Sequence, residues 1–144
     1  MYVFHLTIHA RGGKSFEEIP QKLGDGEWRT LEVSPAAVPE VRFDCSFESA
    51  AERLSQLDRM YCEPDGSFVW VSAQNELSWQ VDGNLYDRDD RLIFVDLKGS
   101  CPAEEFDHLL RCLGWPETPV VFQLVREAVW FDEAEFRRWA SSSR

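Results

Sequence analysis

Apolar and polar residues alternate at the start of the chain. Every second position from Tyr2 to Ala10 is apolar, and this period of two is typical of a β-strand with one buried face. The glycine-rich segment 11–15 predicts an exposed turn, and Pro20 interrupts the segment that follows it. A second, shorter strand is predicted from Trp28 to Val33.

Pro35 and Pro39 predict an extended connector before the alternation returns. The segment from Val41 to Phe47 alternates again and predicts another strand with one buried face. The connector could mark a boundary, but the forty residues before it hold too little apolar surface to fold alone. We therefore expect one domain, residues 1–144, with a hairpin and connector over 1–40 and the main sheet and helices over 41–140.

A helix is predicted after Phe47. Ser49 and Glu52 have the spacing of a capping box, and Ser46 is an alternative start one turn earlier. Apolar residues that recur every three or four positions form its predicted buried stripe: Ala50, Leu54, Leu57 and Tyr61.

The densest apolar pattern lies between Ser67 and Gly114. The runs 68–71 and 77–81 predict strands, and Asp82-Gly83 predicts a hairpin turn. The run 92–97 is apolar on both faces, as in the middle of a packed sheet, and its alternation places Leu92 opposite Val95.

Two more helices and a strand are predicted downstream. The first helix runs from Pro102 to Leu113 and ends at Gly114. A strand follows from Val120 to Val125. Asp132 and Glu135 then form a capping box for a last helix. Phe131 and Phe136 have the spacing of a hydrophobic staple around this start.

This order of elements predicts an α+β fold with a mostly antiparallel sheet and helices packed on one face. From Val41 onward it resembles a ferredoxin-like, split β-α-β plait with an added N-terminal hairpin as an edge or second layer. Phe68, Trp70, Leu92 and Phe94 would need cover on a second face. That cover could be the N-terminal segment or a second subunit, and we expect a homodimer.

Charge excludes several function classes. Fifteen basic and twenty-six acidic residues give a net charge of −11, which disfavours binding to nucleic-acid phosphates or anionic lipid. No apolar stretch approaches the roughly 20 residues that span a membrane, and the first residues lack a basic leader. We therefore expect a cytoplasmic protein. Its four cysteines contain no Cys-x-x-Cys pair and are expected to be free thiols.

Neither a metal nor another cofactor is predicted. His5 and His9 share a strand face but lie about 13 Å apart. Glu104, His108 and Cys112 follow one another along a single helix at a spacing of four, but on the face opposite its apolar stripe. The acids of the loop 87–90 lack the glycine and the closing glutamate of an EF-hand.

Signals for catalysis are weak, and no catalytic residue is predicted. Gly13-Lys14-Ser15 resembles the end of a phosphate-binding loop, but Ile8 stands where the motif requires a glycine. Cys101 opens a helix, where a thiol could be activated, yet no partner cysteine or histidine lies near it in sequence. The sequence also lacks a Gly-x-Ser-x-Gly motif and holds three histidines.

Aromatic residues carry the functional hypothesis. The chain is tryptophan-rich, with six tryptophans, and Trp28, Trp115 and Trp130 fall at strand ends or in connectors. Partly exposed tryptophans often anchor interfaces, so these three are the candidate binding residues. We expect a non-enzymatic binding or regulatory module that recognises a protein partner. The alternative is a small-ligand-binding domain or an enzyme with an aromatic-lined pocket.

Overall fold

The computed structural model describes residues 1–34 and 41–142, which contain nine β-strands and three α-helices. The predicted connector around Pro35 and Pro39 lies outside these ranges. The strands are β1 (Tyr2–Ala10), β2 (Glu17–Leu23), β3 (Gly26–Glu32), β4 (Met60–Cys62), β5 (Ser67–Val71), β6 (Gln80–Arg88), β7 (Arg91–Cys101), β8 (Val120–Leu124) and β9 (Val129–Asp132). The helices are α1 (Phe47–Ser55), α2 (Ala103–Cys112) and α3 (Glu133–Ser141).

The nine strands form one antiparallel sheet in the order β2-β3-β9-β8-β1-β7-β6-β5-β4. The N-terminal strand β1 lies at the centre, where Leu6 pairs with Leu97 of β7 and with Leu124 of β8. The expectation of a broadly α+β, antiparallel fold is therefore confirmed. The N-terminal strand does not form an outer layer, because strands on both sides use its backbone groups.

The helices pack on one side of the sheet, which we call the helix face. Phe106 of α2 makes edge contacts with Tyr2 and Phe4 of β1, at 5.6 and 5.3 Å between ring centroids. Phe136 of α3 stacks on Phe122 of β8 at 4.4 Å. The other side, which we call the open face, carries no helix in the part of the chain that the structure describes.

Capping residues fix where the helices begin. Ser46, the alternative start, caps α1, because its side chain accepts a hydrogen bond from the backbone N–H of Ser49 at 3.0 Å. Asp132 caps α3 in the same way, accepting from Glu135 at 2.8 Å as its capping box predicts. The stripe predicted for α1 holds at Ala50 and Leu54, which are buried.

The α1 helix ends at Ser55, earlier than its apolar pattern predicts. Tyr61 therefore lies in β4 and is exposed rather than part of the buried stripe of a helix.

The segment from Val41 to Phe47 does not form the predicted strand. The backbone N–H of Phe43 donates to Leu92, and Ser46 forms an isolated bridge with Arg91. Phe43 is nevertheless fully buried. The alternating pattern of this segment therefore indicates which side chains are buried, but not that the segment pairs as a β-strand. Without this strand the predicted ferredoxin-like, split β-α-β arrangement is not confirmed.

Gly83 lies inside β6 and not in a hairpin turn. Its register partners are Phe68 on β5 and Leu97 on β7. A Cβ atom on Gly83 would lie 2.1 Å from the ring of Phe68, so the missing side chain makes room for that ring. The hairpin turns instead between β6 and β7, where Asp89 and Asp90 have positive φ angles of 52° and 67°.

A β-bulge in β7 changes which side of the sheet its first residues face. The register shifts between Tyr86 and Asp87, which pair with Phe94 and Leu92 and leave Ile93 as the extra residue. Leu92 therefore joins Val95 in the buried core instead of facing the opposite side. This removes most of the apolar surface that was expected to need a second cover, because Phe68 and Trp70 are also buried there.

Candidate functional site

Four rings form a continuous row across the open face. Tyr86 of β6 stacks on Phe94 of β7 at 4.4 Å and 16° between planes, and Phe94 stacks on His9 of β1 at 5.4 Å and 18°. Trp130 of β9 extends the series, with its ring centroid 4.8 Å from that of His9. We call Tyr86, Phe94, His9 and Trp130 the aromatic row.

The sheet register places these rings together. Tyr86 pairs with Phe94, and Phe94 pairs with His9, so their side chains leave the same face of adjacent strands. Trp130 pairs with Gln123 of β8, which is two residues from Val121, the β8 partner of His9. The row thus crosses the five strands β6, β7, β1, β8 and β9.

His9 contributes to the row as a neutral ring. Burial lowers the pKa of its imidazole to about 4, well below the ordinary value of 6.5. Its Nε2 atom lies 2.7 Å from the hydroxyl oxygen of Thr7, a hydrogen bond that holds the ring in place. The aromatic row is therefore uncharged at neutral pH.

A carboxylate lies beside the row. Asp96 is two residues beyond Phe94 on the same face of β7, and its register partners are Thr7 and Asn84. Asp96 is half-buried and makes no hydrogen bond or ion pair with any other described residue. The next acid on this face, Asp82, accepts a hydrogen bond from the side chain of Gln80 at 2.9 Å.

Of the three predicted tryptophans, Trp130 alone lies in the aromatic row. It is half-buried, and its register partner Leu31 on β3 is buried beside it. Trp28 and Trp115 lie on the helix face, next to α3. The structure therefore does not bring the three candidate residues together.

Trp28 and Trp115 are each enclosed by charged side chains of their own chain. The guanidinium of Arg138 lies 4.1 Å above the ring of Trp28, which is buried. The ring of Trp115 lies between Arg111 and Arg137, and its N–H donates to Glu133 at 2.7 Å. These contacts explain both residues as parts of the fold.

Two adjoining grooves lie at one end of the sheet, on either side of Arg126 and Glu127. One has a volume of about 870 Å³ and is lined by Trp28 and Trp139, and the other has a volume of about 570 Å³. The N–H of Trp28 is buried without a hydrogen-bond partner, but the backbone at Gly26 covers it. Both grooves are open to solvent, unlike the enclosed pocket of the alternative hypothesis.

No cluster of metal-ligating side chains is formed by the described residues. Within residues 1–34 and 41–142, no three His, Cys, Asp or Glu side chains cluster closely enough to hold an ion. All four cysteines are free. Cys101 is fully buried, and burial raises the pKa of its thiol to about 12, so the start of α2 does not activate it.

The sequence reasoning missed Tyr86, Phe94 and His9 as partners in one surface. Their signal was present, because each occupies the side of its strand opposite the buried core. Recognising the row, however, requires the register between strands that are distant in sequence.

Comparison with known proteins adds no relative: the chain matches no family model, no curated protein and no solved structure. Among the described residues, no helix is long and apolar enough to cross a membrane.

Proposed function

We propose that the chain is a protein-recognition module that binds its partner with the open face of its sheet. The observation that carries this proposal is the aromatic row on a face that no helix of the described residues covers. Aromatic rings contribute large contact areas at little cost in side-chain entropy, and they are enriched at binding interfaces.

The geometry of the row favours a protein over a small molecule. A row that spans five strands suits an extended protein surface, whereas a small ligand needs a concave site that encloses most of its area. The tryptophan-lined groove near Trp28 resembles such a site most, but it is open to solvent. Small-ligand binding therefore remains the second candidate.

The burial of Leu92 changes the argument for a homodimer. The expected dimer was to cover Phe68, Trp70, Leu92 and Phe94, but the first three are in the core. The net charge of −11 further disfavours two copies meeting face to face. We therefore propose a different protein as the occupant of the open face.

Photo-cross-linking in the host cell tests this proposal. Benzoylphenylalanine replaces Tyr86 on the open face or, as a control, Glu104, which is exposed on α2. We expect a discrete cross-linked product from position 86 and none from position 104, and mass spectrometry then identifies the partner.

Equal products from both positions, or a product from position 104 alone, would overturn the proposal. If position 86 cross-links to a second copy of this chain, the open face forms a homodimer and does not bind a different protein. The absence of any product at position 86 would favour the small-ligand alternative.

A further inference from the structure

We propose that Asp96 and the aromatic row form a seat for one cationic side chain, so that the partner presents a lysine or an arginine to the open face. This inference rests on the proposed function, because it specifies the chemistry of the protein that the face recognises.

The carboxylate of Asp96 has no hydrogen-bond or ion-pair partner within the part of the chain that the structure describes. Its neighbours on the open face are Thr7 and Asn84 across the strands, and Phe94 and the exposed Lys98 along its own strand, and Lys98 forms no ion pair with it. The hydroxyl of Thr7 already bonds to His9, and none of the described residues gives Asp96 a hydrogen bond or an ion pair. The oxygens of this carboxylate are therefore available to accept hydrogen bonds from a cation that arrives from outside.

Other acids on this side of the sheet have partners in their own chain. Asp82 accepts from Gln80, and its register partner on β7 is Lys98. Glu18 on the edge strand β2 pairs with Arg29 at 3.8 Å. Asp96 differs from both, because its acceptor oxygens have no such partner among the described residues.

Aromatic rings lie next to Asp96 on the open face. Tyr86 is 38% exposed, and its stacking partner is Phe94, two residues from Asp96. Aromatic rings attract cations, and the alkyl stem of a lysine or an arginine packs on apolar surface while its charged end reaches a carboxylate. The net charge of −11 would also accelerate the approach of a basic surface.

An NMR titration of the isotope-labelled protein with tetra-arginine amide tests the seat. We expect shifts concentrated at Phe94, Asp96 and the indole of Trp130, with no such shifts from tetra-glutamate. Asp96→Asn should weaken binding at least about fivefold, since a hydrogen bond to a charged group is lost. Asp82→Asn removes the same charge from the same face and should leave the affinity within about twofold.

Equal weakening by Asp96→Asn and Asp82→Asn would overturn the seat, because it would indicate general attraction to an acidic protein. Shifts scattered over acids elsewhere would do the same. A partner that cross-links at position 86 but binds Asp96→Asn as tightly as the unmodified chain would overturn the seat and leave the proposed function standing. Tetra-arginine shifts at Asp96 without any cross-linked protein at position 86 would overturn the proposed function instead.

Discussion

The imidazole of His9 stacks on the ring of Phe94, with centroids 5.4 Å apart and an angle of 18° between the planes. The two residues are direct register partners on β1 and β7, so the hydrogen-bond ladder sets their separation. Because burial lowers the pKa of this imidazole to about 4, the stacked pair carries no charge at neutral pH.

This relationship predicts how stability depends on pH. The folded protein lowers the pKa of His9 from 6.5 to about 4, so the unfolded chain binds more protons between these values. The contribution of His9 is therefore fully present above pH 6.5 and is lost as pH falls towards 4. At about 1.4 kcal/mol per pKa unit, the loss should reach at most about 3.5 kcal/mol.

The His9→Phe variant isolates this effect, because it keeps a ring in the row and removes the titration. Urea denaturation at several pH values should show the unmodified chain losing stability relative to His9→Phe between pH 6.5 and 4. His5→Gln, on the same face of β1, is the matched control and should retain the loss. Parallel curves for the unmodified chain and His9→Phe would contradict the assignment.

Gly83→Ala tests the close contact between β6 and β5. The added methyl would meet the ring of Phe68 at 2.1 Å, so the ring or the strand must move. We expect a destabilisation of about 1–3 kcal/mol in chemical denaturation, typical of overpacking a core. The double variant Gly83→Ala/Phe68→Leu should be less destabilised than the sum of its single changes. Additive effects would show that the clash is not the cause.

Glu135 tests the junction between β3 and α3. Its buried carboxylate accepts from the backbone N–H of Arg29 and from the guanidinium of Arg138. Glu135→Leu leaves that N–H without its acceptor and should cost about 1–3 kcal/mol in thermal or urea denaturation. Glu135→Gln keeps an acceptor and should cost less. Equal losses for the two variants would show that the acceptor is not what matters.

Thiol labelling of the native protein tests the assignment of the cysteines. Cys62 is half-buried, whereas Cys45, Cys101 and Cys112 are buried. We expect iodoacetamide to modify Cys62 first, and Cys101 to react after denaturation because burial raises its pKa to about 12. Peptide mass spectrometry gives the order. Rapid labelling of Cys101 in the native state would contradict this assignment and support the hypothesis of a reactive thiol at the start of α2.

The local signals in the sequence predict the helices better than the sheet. The capping box at Asp132 and the alternative cap Ser46 depend on residues three or four positions apart, and both describe the structure. The central strand from Tyr2 to Ala10 was equally clear, because its period of two does not depend on its neighbours. The identity of the strands that pair with it could not be predicted in this way.

The errors share a physical cause, which is pairing between distant segments. In the sequence Gly83 is typical of a turn residue. In the structure the β5–β6 register places it beside the ring of Phe68, inside a strand. The alternation in sequence predicts that Leu92 faces away from Val95, but the bulge in β7 places its side chain in the core. The aromatic row depends on register in the same way, so the sequence proposed Trp130 as a candidate binding residue without the rings beside it.

Affinity for the protein that cross-links at position 86 is the most direct measure of the central claim. The row variant Tyr86→Ser/Trp130→Ser removes two partly exposed rings. The control Ile19→Ser/Leu77→Ser removes two exposed apolar side chains away from the open face, one on the helix side of β2 and one between β5 and β6. Thermal melts first establish that both variants fold. Calorimetric titration with the purified partner then compares them with the unmodified chain.

Loss of two interface anchors should cost at least about 2 kcal/mol and raise Kd about 30-fold in the row variant, with Kd of the control within about twofold of the unmodified chain. A row variant that binds as tightly as the unmodified chain, or a control that loses as much affinity, would contradict recognition by the open face.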